Sequence, residues 1–173
     1  MSDSLPAQSA SAGPIFETAE LFDQSPDTVL VCDLQFRSFG LRRAFCGPCV
    51  PFEVFEDHRP LRELLTEAGA GRVAVIDSLG SLRVGLLGDT MSKLAIANGW
   101  AGVIVNGAIR DGTAIDRLDF GVKALGTTAR RNNGPITPSR RGTVSFGGAR
   151  FESGHWVYAD PDCVVVSPTP FTL

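Results

Sequence analysis

No stretch of this chain approaches the ~20 consecutive apolar residues that a membrane-spanning helix requires. The opening MSDSLPAQSASAGP holds neither a cationic run nor an apolar one, so it does not read as a secretory signal. Its small polar residues read as a disordered tail over residues 1–14. The expected location is therefore cytoplasmic, with no membrane partner, and the four cysteines (32, 46, 49 and 163) are expected to be reduced. Basic charge is not in surplus: 16 Lys+Arg face 19 Asp+Glu for a net −3, so no global positive field argues for nucleic acid. Histidine is nearly absent, with only His58 and His155. A zinc centre needs further ligands at motif spacing. Cys32, Cys163, His58 and His155 are each isolated in sequence, and the two histidines read as structural.

FCGPCV (45–50) is the one local cysteine pattern. Thioredoxin-type CxxC pairs sit at a helix N-terminus, where free N–H groups and the helix dipole stabilise a thiolate. Here the pair is followed by VPFEVFE, whose alternation and Pro51 describe a strand. FCGPCV accordingly reads as a Gly-Pro turn flanked by small buried thiols, entering that strand.

What the chain has in quantity is glycine (19), proline (11) and 43% hydrophobic residues, the composition of a globular protein with many turns. IFETAELFDQSPD reads as a short helix with Thr18 as N-cap. TVLVCDLQF reads as extended, and Asp57 caps a helix with Leu61, Leu64 and Leu65 as its apolar stripe. RVAVID, RVGLLG, GVIVNG and GVKALG read as strands, with a helix over 90–98 between the second and third. Residues 127–142 form a polar basic loop, and the chain closes in short strands separated by Gly and Asp-Pro turns. This alternation predicts a single α/β domain over residues 15–173, with a mixed sheet and β structure at both ends.

The segment 88–111, GDTMSKLAIANGWAGVIVNGAIRD, carries the most chemistry. A helix and a returning strand bring Asp89 and Arg110-Asp111 to the same edge of a sheet, where ligands bind in open α/β folds. The helix start suits a carboxylate or phosphate, Arg110 offers a bidentate fork, and Asp111 is a hard oxygen donor for Mg²⁺ or Mn²⁺. On spacing alone, however, Asp89 reads as an N-cap and Arg110-Asp111 as a loop ion pair.

The run RVAVIDSLGSLRVGLLGDTMSKLAIANGWAGVIVNGAIRDGTAIDRLDFGVKALGT alters that balance. With CDLQFRSFG before it and VSFGGARF and SGHWVYADPDCVVV after it, the chain resembles, over about residues 15 to 170, a family known from two branches. One holds the regulator of RNase E activity A and the other the class II 4-hydroxy-4-methyl-2-oxoglutarate aldolases. The resemblance implies a swivelling β/β/α fold and a homotrimer. It implies a divalent-metal-dependent lyase that yields pyruvate and also decarboxylates oxaloacetate. Gly88, Asp89, Thr90, Met91 and Arg110 would bind the 2-keto acid, Arg110 and Asp89 would serve catalysis, and Asp111 would hold Mg²⁺ or Mn²⁺. Ala114 stands where many aldolase-type members carry an acid, and the nearest acid beyond it is Asp116. The alternative implied is inhibition of RNase E by protein–protein binding, a branch that has generally lost the aspartate this chain keeps at 111. Direct nucleic-acid binding would rest on Arg130, Arg131, Arg140 and Arg141, a cluster with no interleaved aromatics that reads as a solvated loop or trimer contact. A methyltransferase reading lacks a Gly-rich loop after the first strand.

Overall fold

The computed structural model describes residues 15–173, so the expected tail over 1–14 lies outside the described residues. The chain begins with helix α1 (Thr18–Gln24), then strands β1 (Leu30–Cys32), β2 (Arg37–Phe39) and β3 (Phe45–Val54). An alternating block follows: α2 (His58–Leu65), β4 (Val73–Asp77), α3 (Asp89–Ala97), β5 (Gly102–Ile109), α4 (Gly112–Ile115) and β6 (Gly121–Thr127). Short strands complete it: β7 (Ser139–Arg141), β8 (Val144–Phe146), β9 (Ala149–Phe151), β10 (Trp156–Ala159) and β11 (Val164–Ser167). No helix among the described residues is long and apolar enough to cross a membrane.

One mixed sheet runs in the order β1-β11-β10-β3-β4-β5-β6-β2, with β7 also on β3. Its centre, β3-β4-β5-β6, is parallel, as the strand–helix alternation requires. The apolar runs of β4 and β5 are buried throughout because both faces of these strands are covered. Successive residues serve opposite layers. Ala74 and Ile76 pack with Leu61, Leu64, Leu65 and Ala95 of α2 and α3, whereas Val73 and Val75 pack with Val144, Phe151 and Val157 of the C-terminal strands. Helices thus cover one face and β structure the other, a mixed α/β fold in keeping with the β/β/α expectation.

FCGPCV is not a turn. The strand β3 runs straight through it, and here it exchanges partners, from antiparallel β10 at residues 45–48 to parallel β4 from Cys49 onward. Pro48 ends the β10 ladder and Pro51 precedes the β7 one, so both prolines, which donate no ladder hydrogen bond, fall at the exchange. Gly47 is required by close approach, since a Cβ there would lie 2.1 Å from the Gly71 carbonyl oxygen. Cys46 and Cys49 are three positions apart in a strand and therefore face opposite layers. Both are free thiols, and burial pushes Cys49 up to about 12, the reverse of what a redox thiolate needs.

Other expectations are corrected. Thr18 is not a cap but the first helical residue: Asp160 accepts from its N–H (2.7 Å) and hydroxyl (2.9 Å), capping α1 from the far end of the chain. RVGLLG forms no strand, only a bridge from Gly85 to Ala108, and is held by Leu86 N–H on the Ala108 carbonyl and Gly85 N–H on that of Arg130. The short β2, hydrogen-bonded to β6, went unseen within CDLQFRSFG. Asp57 does cap α2, accepting from Arg59 N–H at 3.0 Å.

Candidate active site

Because β3 to β6 run parallel, the segments leaving their carboxyl ends share one edge. β3 leads to Asp57 and α2, β4 to the connection ending at Gly88, β5 to Arg110-Asp111, and β6 to the 127–138 loop. Between them lies a cavity of about 410 Å³ lined by His58, Arg62, Gly85, Leu86, Gly88, Asp89, Thr90, Met91, Arg110, Asp111 and Arg131. All six residues singled out from the sequence (Gly88, Asp89, Thr90, Met91, Arg110 and Asp111) are among them.

The local chain explains the placement. Gly88, not Asp89, is the N-cap of α3, with no side-chain cap hydrogen bond. Ser92 N–H and hydroxyl both donate to the Gly88 carbonyl, at 2.9 and 3.0 Å. Arg110 N–H donates to Leu87 at 2.8 Å, tying the end of β5 to the α3 entry. Asp111 follows in the left-handed region (φ 58°, ψ 32°), a conformation Asp tolerates better than most residues. Its carboxylate lies 3.3 Å from Arg110 Nε, the arginine partly buried and the aspartate exposed. A Cβ at Gly88 would meet Asp111 Oδ2 at 2.7 Å and Arg110 Cγ at 3.3 Å, so the glycine makes room for both groups.

Asp89 is paired with Lys93 at 2.9 Å, which, with the Thr90 amide, holds its carboxyl below the ordinary value. His58, expected from its isolation in sequence to be structural, lines the cavity. Burial, then Arg131, lowers its pKa below that of ordinary imidazole, with Arg59 and Arg110 adding to the effect and Asp57 opposing it. Its Nδ1 is buried without a hydrogen-bond partner among the described residues. The wall behind it is held by Asp57, fully buried, whose carboxylate takes Arg59 in two bonds (2.8 and 2.7 Å) and Thr137 N–H (2.9 Å). Burial alone would raise the Asp57 pKa; the guanidinium and the two amides outweigh it and bring it to about 2.

The arginines of 127–142 do not form a platform. Arg140 pairs with Glu53, Arg141 with Glu67, and the exposed Arg131 lines the rim of the cavity. Asp116 and Asp111 both line a neighbouring cavity of about 440 Å³, and Asp116 accepts from Gly40 N–H at 3.0 Å. The signal for His58 was its place as first residue of the helix following β3; for Arg131 it was its position just past β6.

A family model described as RraA-like, Aldolase/RraA, matches residues 18–166. The chain belongs to the RraA-like family. This RraA-like chain is 43% identical, over 90% of its length and 98% of the relative's, to a Laribacter hongkongensis protein provisionally named 4-hydroxy-4-methyl-2-oxoglutarate aldolase. A Geobacillus kaustophilus crystal structure, described as an S-adenosylmethionine:2-dimethylmenaquinone methyltransferase, is similar at TM-score 0.84 and 42% identity, covering 90% of this chain and 97% of that one. The Thermus thermophilus RNA-processing inhibitor RraA is similar at TM-score 0.85 and 33% identity, covering 92% and 96%.

Proposed function

We propose that this protein is a divalent-metal-dependent carbon–carbon lyase that cleaves 4-hydroxy-2-oxo acids of the 4-hydroxy-4-methyl-2-oxoglutarate type to pyruvate and decarboxylates oxaloacetate. The observation that carries the reading is the convergence of Arg110, Asp111 and the α3 N-terminus on one cavity. The aldolase-named relative supports it.

Asp111, with Asp89 in the same cavity, offers hard oxygen donors that fit Mg²⁺ or Mn²⁺. No group of three or more His, Cys, Asp or Glu suited to a metal occurs among the described residues. When bound, the cation supplies Lewis-acid polarisation of the 2-keto oxygen. The α3 first turn takes the substrate's 1-carboxylate, as helix N-termini take anions. The Arg110 guanidinium faces the keto oxygen and stabilises the negative charge that grows there as the C3–C4 bond breaks. The bonding pair passes into a pyruvate enolate, the second fragment leaves as a carbonyl compound or CO₂, and C3 takes a proton. A water beside Asp89 carries protons to and from the reacting groups.

The test is oxaloacetate decarboxylation with Mg²⁺ and after chelation. Turnover that chelation removes and Mg²⁺ restores is the expected result. No turnover, with binding to an RNase E C-terminal segment, would instead support the inhibitor role of the Thermus relative. A subtler variant probes the geometry. Gly88→Ala requires no unusual backbone, since Gly88 sits at φ −125°, but its methyl displaces the Asp111 carboxylate. Turnover should fall roughly ten- to a hundredfold, because small misplacements of reacting groups are costly. Thermal unfolding should move little; an unaltered turnover would remove Asp111 from the site.

A further inference from the structure

His58 lines the cavity from the first turn of α2 and takes no part in binding the cation or the 2-keto acid. Only 17% of its side chain is exposed, and neither ring nitrogen enters a hydrogen bond among the described residues. Nδ1 is sealed from solvent, with Asp57 Oδ1 at 4.0 Å, too far for a hydrogen bond. Both oxygens of that carboxylate are engaged elsewhere, by Arg59 and Thr137. Nε2 is therefore the nitrogen that a ligand in the cavity can reach. A buried ring with an unfilled nitrogen is uncommon in a folded chain and calls for a use.

Aldol cleavage needs something that decarboxylation does not. Breaking C3–C4 in a 4-hydroxy-2-oxo acid requires a base to take the 4-hydroxyl proton, whereas oxaloacetate has no such proton to lose. The carboxylates of the cavity suit that task poorly. Asp89 is paired with Lys93 and held below its ordinary value, and Asp111 lies against Arg110. Arg62, Arg110 and Arg131 stay protonated. Around the imidazole, burial, Arg131, Arg59 and Arg110 all oppose a positive charge, and Asp57 alone favours one, so the ring is neutral near pH 7. It is the one titratable side chain of this cavity with a lone pair free to take a proton at that pH.

We propose that His58 Nε2 is the general base of aldol cleavage, taking the proton of the substrate's 4-hydroxyl group. The proposal rests on the lyase reading above and adds the residue that separates its two reactions. As the proton passes to Nε2, the O–H electron pair becomes the second C4–O bond. C3–C4 then breaks, and its pair enters the pyruvate enolate. Asp57, on the Nδ1 side, favours a resting tautomer with the proton on Nδ1 and faces the imidazolium once it forms. The imidazolium returns its proton to solvent and C3 takes one from the water beside Asp89, so the ring ends as it began. Decarboxylation uses only the second of these transfers.

The experiment sets cleavage of 4-hydroxy-4-methyl-2-oxoglutarate against decarboxylation of oxaloacetate, both with Mg²⁺, in the native protein, His58→Gln and His58→Asn. Cleavage should fall by roughly a hundredfold or more, the scale of general acid–base catalysis, and decarboxylation by less than about tenfold. Because His155 is the only other histidine, nitrogen-15 NMR of the intact protein reports the ring directly, with His58→Gln assigning it. The expected signature is a neutral ring with its proton on Nδ1, titrating below the ordinary 6.5. Equal losses on the two substrates, or cleavage close to the native rate in both variants, overturn the assignment. So does a His58 ring still charged at about pH 7. Native protein that decarboxylates oxaloacetate but leaves the hydroxy acid whole overturns the assignment alone. Native protein that does neither overturns the lyase reading, and the assignment with it.

Discussion

Arg110→Ala should lower kcat for oxaloacetate decarboxylation by about a thousandfold, the scale of losing a donor to a developing oxyanion. Arg110 is the cation best placed for this task, held at the end of β5 by its N–H bond to Leu87 and set beside Asp111. Arg110→Lys keeps the charge but not the planar fork, and its rate should lie between the two. Asp111 should match Arg110 in effect, through the cation it would hold. Because Asp111 sits at positive φ, Asp111→Asn is the cleaner variant beside Asp111→Ala: Asn accepts that backbone and removes only the charge. Neither side chain is in the core, so thermal unfolding should change by only a few degrees. Decarboxylation at the native rate in Arg110→Ala or Asp111→Ala would overturn the roles given to both.

The largest effect on stability is expected at Asp57. Asp57→Ala removes the α2 cap, unpairs Arg59 and strips Thr137 N–H of its acceptor. Breaking such a buried ion pair costs about 3 kcal/mol, somewhat reduced here because Arg59 reaches solvent, or roughly 6–12 °C in Tm for a chain of this size. The pH dependence has a definite sign. The folded-state pKa is about 2 against an ordinary 3.8, so the carboxylate's contribution is complete above about pH 4 and disappears as pH falls through 2. Denaturant titrations should therefore show a constant gap between the native protein and Asp57→Asn near neutrality, closing in acid. A gap that widened in acid would contradict it.

The parallel centre of the sheet was legible because strands covered on both faces are apolar throughout, as in VAVID and GVIVNG. The same helix-and-return geometry brought Asp89 to Arg110-Asp111, although low-information spacing needed the family likeness to give it weight. RVGLLG shows the limit. It is as apolar as its neighbours, but its bonds go to the Ala108 and Arg130 carbonyls, and no window of sequence reveals such partners. Thr18 failed for the same reason, its acceptor lying on Asp160. His58 and Arg131 contribute to the cavity from separate strand ends, and only the pairing of β3 through β6 shows that those ends coincide. Gly47 and Pro48 look like a turn locally; the neighbouring Gly71 backbone and the exchange of partner strands give them another use.

That exchange has a bearing on how the chain is made. The first half of β3 finds its partner, Trp156–Ala159, only after more than half of the sequence has followed, and β1 waits still longer for Val164–Val166. On a ribosome the Phe45–Val54 segment can pair with β4 as soon as β4 emerges, yet the CGPC edge beside it stays open until β10 has been synthesised. Such delayed long-range pairing slows folding and exposes strand edges to other chains. Pro51, whose carbonyl takes Gly142 N–H on that side, leaves the waiting edge one amide donor short, which makes it a poorer template for a neighbouring nascent chain.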